Sequence, residues 1–270
     1  MTPPQDREPL PTFVNDLDPL PPEYWEVIGS GLGFISGDGG APAGGAAGPV
    51  SEDQLQTIGD HVRLLLSWND AINLSGVRTA SGIALEHVLD SLTALPILRR
   101  AGIDEFLDIG TGGGYPGLPL AVALPARRTL LVESVGKKAR FLAAVVDATG
   151  MRDRVAIAAT RAETLAGDPR HRGYWPAVTV RAVAEMSELV EIALPLLRVG
   201  GILVAWKRRP AEEELARADG AIRQLRGRLI RLEPVGVPGL EDHVLVVIEK
   251  IGVTPDQFPR DPAARRRRPL

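Results

Sequence analysis

An aspartate, a glycine run and a distant glutamate stand at spacings able to hold an adenosine-bearing ligand. The run is Asp108-Ile-Gly-Thr-Gly-Gly-Gly114, continued by Tyr115-Pro-Gly-Leu-Pro119. Gly110, Gly112 and Gly114 lack a Cβ, so the backbone there can approach a ligand closely and adopt positive φ. Glu133 follows Gly110 by 23 residues, and a carboxylate closing a second strand can accept hydrogen bonds from both hydroxyls of a ribose. These features admit NAD as well as S-adenosylmethionine, and Gly112-Gly-Gly-Tyr-Pro-Gly117 satisfies a loose GxGxxG. Three details favour the sulfonium cofactor. Asp108 stands two residues before Gly110, where its charge can face the cationic methionine end and would oppose a pyrophosphate. Pro116 and Pro119 constrain the helix start that a pyrophosphate would otherwise use. The third detail is the pattern of the last two strands.

The elements that must position these residues follow from the hydrophobic period. From Glu105 onward, apolar strand candidates are Phe106–Ile109, Leu130–Glu133, Val155–Ala158, Val178–Val180, Ile202–Trp206, Leu229–Leu232 and Val244–Glu249. Helical stretches are expected over Gly117–Leu124, Lys137–Ala148, Ser187–Leu197 and Ala211–Leu225. Five βα units with right-handed crossovers give an α/β fold with a Rossmann-like, mostly parallel sheet. The last two strands have no long helix between them, so they read as a hairpin that makes an antiparallel edge. That ending is usual for Rossmann-like methyltransferases rather than dehydrogenases.

Ahead of the sheet an N-terminal helical cap is expected. Ser51 and Gln54 match a capping box, and Leu55, Ile58, Val62 and Leu65 share one helical face. A second amphipathic helix spans roughly Ile83–Arg99, with Leu85, Val88, Leu89, Leu92 and Leu95 as core candidates. Seven prolines in residues 1–22 read as an irregular extended arm, followed by a short helix over Glu23–Ile28. Nine glycines in Gly29–Pro49 read as a flexible insertion. The expected organisation is therefore an extension (1–50), a helical cap (51–100), a methyltransferase domain (101–252) and a basic tail (253–270).

Composition narrows the chemistry. The chain has 270 residues, no Cys and four His. The missing Cys excludes disulfides, thiolate metal sites and a cysteine nucleophile. With no HxxxH and no clustered carboxylates, no metal is expected. No apolar run approaches the ~20 residues of a membrane helix, and the N-terminus lacks a signal-peptide pattern. The expectation is a cytoplasmic monomer with no membrane contact. Net charge is −3, yet from Trp206 onward there are 14 Lys/Arg against 10 Asp/Glu. Arg265-Arg-Arg-Arg268 is the densest cationic run, either a solvated end or a phosphate contact.

Further segments stand in a fixed order around the glycine loop. They are Trp68-Asn-Asp-Ala-Ile-Asn-Leu-Ser-Gly-Val77, His87-Val-Leu-Asp-Ser-Leu92 and Asp108 to Leu120, then Glu133-Ser-Val-Gly-Lys-Lys-Ala-Arg-Phe-Leu142. Arg161-Ala-Glu163, Val180-Arg-Ala182 and Phe258-Pro-Arg…Arg-Pro-Leu270 complete the series. From about Ser51 to Leu270 it resembles the bacterial 16S ribosomal RNA guanine-N7 methyltransferases, the glucose-inhibited division protein B family. The resemblance implies methyl transfer from S-adenosylmethionine to N7 of a guanine in the decoding-region loop of 16S rRNA, with the small ribosomal subunit as partner. It also implies cofactor contacts at Gly110, Tyr115, Ala162, Glu163 and Arg181, with Ala162 and Glu163 along the adenine. Arg181 would reach the methionine carboxylate or the target base. Two features depart from the family pattern: the N-terminal arm with its glycine-rich insertion, and Trp206-Lys-Arg-Arg where Lys-Gly is usual.

The implied chemistry agrees with what is missing. Guanine N7 has an in-plane lone pair, so its methylation removes no proton and asks only for alignment. Cytosine-C5 enzymes need a thiolate, and exocyclic-amine enzymes commonly carry Asp/Asn-Pro-Pro-Tyr/Phe after the fourth strand; here that stretch reads Thr179-Val-Arg-Ala-Val. Arg161, Arg181 and Tyr115 are candidates to stack on a splayed base. His87 and Asp90, at i and i+3, share a helix face and are either a proton relay or a buried polar pair. Lys207 and Arg208, with Arg265, Arg266, Arg267 and Arg268, are the RNA-contact candidates. Asn69 and Asn73 read as helix-end architecture and Trp68 as core. The residues leave two rival readings: a nicotinamide-dependent oxidoreductase and a non-catalytic RNA-binding assembly factor.

Overall fold

The apolar runs after Glu105 pair into one sheet of seven strands: β1 Glu105–Ile109, β2 Arg128–Val132, β3 Val155–Ala158, β4 Trp175–Arg181, β5 Leu197–Arg208, β6 Gly227–Pro234 and β7 His243–Lys250. Their order is β3-β2-β1-β4-β5-β7-β6. Neighbours among β1 to β5 are parallel. β7 enters antiparallel between β5 and β6, so the β6–β7 hairpin forms the expected antiparallel edge. β1 is buried along its whole length and β4 in all but its last residue, as central parallel strands covered on both faces must be. The chain order reverses between β1 and β4, which makes their carboxyl ends the switch point of the sheet. The computed structural model describes residues 10–35, 50–124, 126–181 and 184–270. Ala182 of the quoted Val180-Arg-Ala segment lies outside them, as do residues 1–9 of the proline-rich arm and 36–49 of the glycine-rich stretch.

Eleven α-helical segments, α1 to α11, surround the sheet among the described residues. α1 Pro22–Leu32, α2 Glu52–Ile72, α3 Ala80–Ile83, α4 Asp90–Leu92 and α5 Leu95–Arg100 precede β1. α6 Gly117–Ala123, α7 Gly136–Ala148, α8 Ala162–Ala166, α9 Met186–Ala193, α10 Glu212–Gln224 and α11 Pro262–Arg267 follow it. One hydrophobic core joins the cap helices, α6 and α7 to one face of the sheet. A second joins α8, α9 and α10 to the other. No helix among the described residues is long and apolar enough to cross a membrane.

The capping box at Ser51 and Gln54 forms with both reciprocal hydrogen bonds. Ile58, Val62, Leu65 and Trp68 are buried and Leu55 is half-buried. The single helix expected over Ile83–Arg99 is instead broken. Pro96 lacks an N–H and its ring collides with the preceding turn, so the helix stops after Leu92 and restarts as α5. Upstream, Ala84–Leu89 winds as a π-helical turn between α3 and α4, a feature often found at functional sites. Val88, Leu89, Leu92 and Leu95 are buried, Leu85 only partly. α1 also runs past the expected Ile28, because Gly31 lies flat on Leu89: a Cβ there would stand 2.2 Å from Leu89 Cδ1. The arm from Leu10 onward is tied to α2, with Trp68 Nε1 donating to the Pro11 carbonyl at 2.7 Å.

Candidate active site

The loop leaving β1 is braced from behind. Asp108 is fully buried; its Oδ2 accepts from the Gly117 amide at 3.0 Å, and Thr179 Oγ1 donates to its Oδ1 at 2.7 Å. The carboxylate thus ties β1 to the start of α6 and to β4, and it is not among the residues that line the adjoining cavities. The charge expected to face a methionine end points inward instead. Burial pushes its pKa up to about 6, opposed by the hydrogen bonds from Thr179 and Gly117. Glu133 braces the other side: Oε2 accepts from the Gly112 amide at 3.0 Å and Oε1 from the Val135 amide at 2.7 Å. Gly110, Gly112 and Gly114 all have positive φ. At Gly114 (φ +98°) a Cβ would also lie 2.5 Å from Leu118 Cδ1 and 2.9 Å from His61 Nε2.

His61, on α2, had no signal in the sequence beyond its helical position. Its Nε2–H donates to the Gly113 carbonyl at 2.7 Å, and burial pushes its pKa down to about 4. Its ring stacks on Tyr115 with centroids 4.6 Å apart. His87 approaches the same tyrosine at 4.9 Å, and the Arg181 guanidinium carbon lies 5.7 Å from its ring centroid. The Tyr115 hydroxyl is buried with no hydrogen-bond partner among the described residues. The cap is therefore seated on the glycine loop through aromatic rings.

Two cavities open beyond the carboxyl ends of the strands. The first, about 220 Å³, lies over β1, β2 and α8 and is lined by Gly110, Val132, Ser134, Arg161, Ala162 and Glu163, among others. The second, about 410 Å³, is lined by Glu86, His87, Asp90, Arg181, Trp206 and Lys207, with Arg208 and His243. Ala184 lines both, so they adjoin at the switch point.

His87 and Asp90 meet across Arg181 rather than each other. Arg181 Nη1 donates to Asp90 Oδ2 and to the Glu86 carbonyl, each at 2.8 Å. Its Nη2 faces His87 Nδ1 at 3.4 Å. A guanidinium only donates, so Nδ1 is the accepting nitrogen and Nε2–H points at Ser75 Oγ, 2.6 Å away. Burial, reinforced by the Arg181 charge, pushes the His87 pKa down to about 4 and keeps the ring neutral. Asp90 is wholly buried and takes a second partner, His243 Nδ1, at 2.8 Å. Its backbone carbonyl accepts from Trp206 Nε1 at 2.9 Å. Of the two readings of the His87/Asp90 pair, the geometry is that of a buried polar clamp fastening the cap to β4, β5 and β7.

The cationic candidates divide. Lys207 Nζ is tied to Glu214 Oε1 at 2.6 Å and to the Ala184 carbonyl at 2.8 Å, in the wall between the cavities. Arg208 is exposed and pairs with Asp242. Arg161 is exposed at the mouth of the first cavity. Arg265 is buried and paired with Glu163, which withdraws it from the set able to meet RNA phosphate; Arg266, Arg267 and Arg268 remain exposed.

Residues 54–235 match the family described as rRNA small subunit methyltransferase G. This chain belongs to that family. The ribosomal RNA small subunit methyltransferase G of Roseiflexus sp. (strain RS-1) is 42% identical over 221 residues, covering 82% of this chain and 94% of that protein. Its counterpart in Chloroflexus aggregans (strain MD-66 / DSM 9485) is 42% identical over 222 residues, 82% of this chain and 92% of that protein. Among solved structures, an O-methyltransferase from Bacillus cereus in complex with SAH covers 74% of this chain and 91% of its own at 16% identity and a TM-score of 0.49. Membership of the methyltransferase G family sets the oxidoreductase reading aside. Outside the stretch matched to the family, α1 and α11 still pack on its members: α1 on the π turn, α11 on α8.

Proposed function

We propose that the protein transfers a methyl group from S-adenosylmethionine to N7 of a guanine in 16S rRNA of the small ribosomal subunit. The observation that carries this reading is the pair of cavities adjoining at the switch point, one suited to an adenosine and one open to a base. The first offers apolar contact from Ile109, Val132, Ala162 and Ile192 to the faces of a purine. Glu163 adds a carboxylate able to accept from an exocyclic amine. Glu133 has spare lone pairs beside its two backbone partners, since each carboxylate oxygen accepts more than one hydrogen bond. These groups fit the adenosine end of S-adenosylmethionine.

When bound, the cofactor supplies an electrophilic methyl group to the N7 lone pair, and no proton leaves the ring. No general base is called for, in keeping with a His87 that is neutral and engaged on both ring nitrogens. The clamp of Asp90, Arg181 and His243 gives the second cavity a fixed wall, and alignment is what this chemistry needs. Trp206 presents an apolar surface to a base, and Glu86 stands exposed at the rim as an acceptor. Of the RNA-contact candidates, Arg208 and Arg266 to Arg268 are exposed and able to meet phosphate, so affinity for the subunit falls as salt rises. With a net charge of −3, a preassembled ribonucleoprotein suits the enzyme better than naked RNA. On this reading it works in the cytoplasm as a monomer.

Incubation with labelled S-adenosylmethionine and unmethylated 30S subunits, followed by mapping of the modified base, tests the proposal. Label at a guanine N7 of 16S rRNA is expected. Cofactor binding without turnover on any ribosomal substrate would instead support a non-catalytic assembly factor.

A further inference from the structure

We infer that Arg265, from the C-terminal tail, is a positioning residue for the cofactor cavity: it orients the Glu163 carboxylate, and with it the Glu188 side of the wall, to receive the adenine end of the cofactor. The inference rests on the reading of that cavity given above.

Arg265 is 4% exposed although it lies in a run of four arginines near the chain end. Its Nη2 pairs with Glu163 Oε1, and its Nε stands 3.6 Å from Glu188 Oε1. Both glutamates line the first cavity. The guanidinium therefore lies against two like charges that would otherwise repel each other and swing apart. With Oε1 of Glu163 engaged, Oε2 is the oxygen left to accept a ligand N–H. The Arg265 Nε–H is buried and finds no acceptor within hydrogen-bonding range among the described residues. A shift of a few tenths of an ångström by Glu188 would satisfy it and tighten the same wall.

Contacts of the rest of the tail hold Arg265 there. α11 has six residues, too few to stand alone in water, so tertiary contacts hold it. Arg260 forks onto the buried Glu191, Nε to Oε1 at 2.8 Å and Nη2 to Oε2 at 2.6 Å. Arg172 donates to the carbonyls of Phe258, Thr254 and Pro255 at 2.7, 3.2 and 3.2 Å. Asp261 caps α11 through the Ala263 amide at 2.8 Å. Arg265 Nη1 closes the turn on the Arg260 carbonyl at 2.9 Å. A planar fork reaching two carboxylates at once is a task for arginine that lysine performs poorly.

The test measures binding of S-adenosylmethionine by calorimetry, and steady-state methylation of 30S subunits, for the full chain and its Arg265→Gln and Arg265→Lys variants. At metal sites, loss of a group that orients a ligating residue weakens binding or activity by roughly 10–100-fold, and the same order is carried over to a carboxylate that contacts a ligand. We expect Arg265→Gln to raise the dissociation constant and KM for the cofactor by about tenfold, near the low end because the ligand's other contacts remain. Arg265→Lys falls between it and the unaltered protein. The KM for 30S subunits and kcat at saturating cofactor stay near their original values, a split that a general loss of folding would not give. Should Arg265→Gln fail to fold, Arg265→Lys carries the measurement, and a change below twofold there overturns the inference. If the unaltered protein does not bind the cofactor, the cavity reading itself falls. If it binds and Arg265→Gln binds equally well, only the role of Arg265 falls. A rise confined to the KM for 30S subunits would make Arg265 an RNA contact and equally overturn the inference.

Discussion

Asp90→Ala removes the acceptor that Arg181 and His243 share, each 2.8 Å from one of its oxygens. Asp90 is 1% exposed at its side chain, Arg181 16% and His243 11%. Breaking a buried pair by deleting one partner costs about 3–5 kcal/mol, because the remaining charge stays desolvated without compensation. Arg181 keeps the Glu86 carbonyl and its place over Tyr115, which sets the expected loss at the low end, about 3 kcal/mol. A protein of this size loses roughly 2–4 °C of Tm per kcal/mol, so a fall of roughly 6–12 °C is expected. Arg181→Ala strands the same carboxylate from the other side. The double variant then loses less than the two singles together, with a coupling of about 2 kcal/mol between the residues. Chemical denaturation of the four proteins measures this, with equal m-values confirming that the same surface unfolds in each. A loss below about 1 kcal/mol for Asp90→Ala, or strict additivity in the double variant, would refute the clamp.

Other expected outcomes concern pH and the glycine loop. His61 and His87 have pKa values near 4 in the folded chain against an ordinary 6.5, so the unfolded state takes up their protons first and stability falls as pH drops from 6.5 to 4. Asp108, raised from 3.8 to about 6, acts oppositely, since the native state gains its proton first over pH 6 to 4. Two protons against one leave a net loss of stability on acidification. His61→Asn should flatten that slope by about one proton in denaturation profiles; an unchanged slope contradicts the assignment. Asp108→Asn retains hydrogen-bonding capacity toward Gly117 and Thr179 and should leave cofactor affinity within about threefold, whereas a loss beyond tenfold would place the charge at the sulfonium after all. Gly114→Ala forces a side chain into positive φ and against Leu118 and His61. It should cost more than about 1 kcal/mol of stability and most cofactor binding; intact affinity by calorimetry would show that the loop tolerates a Cβ.

Local pattern accounts for what the sequence determined by itself. The strand segments, the capping box at Ser51 and the positive-φ glycines after Asp108 are each set by neighbours within a few residues, through alternation, helix-end hydrogen bonding and the absence of a Cβ. The ordered segments from Trp68 to Leu270 likewise carried the family before any contact was known. Pro96 was equally local, and its break of the cap helix was there to be read from the missing N–H. Tertiary structure alone decided the partners of the charged groups. Asp108 turns inward because Thr179, 71 residues away on the neighbouring strand, donates to it. Asp90 becomes a clamp because β7 inserts beside β5 and brings His243 across 153 residues of chain. Arg265 leaves the solvated tail for a carboxylate 102 residues upstream. A buried charge must find its counterpart wherever the fold places one, and the crossover order of a doubly wound sheet sets that place. The loop from Asp108 to Gly114 was thus legible as a tight glycine turn at a strand end, while the direction its aspartate faces belongs to the strand beside it.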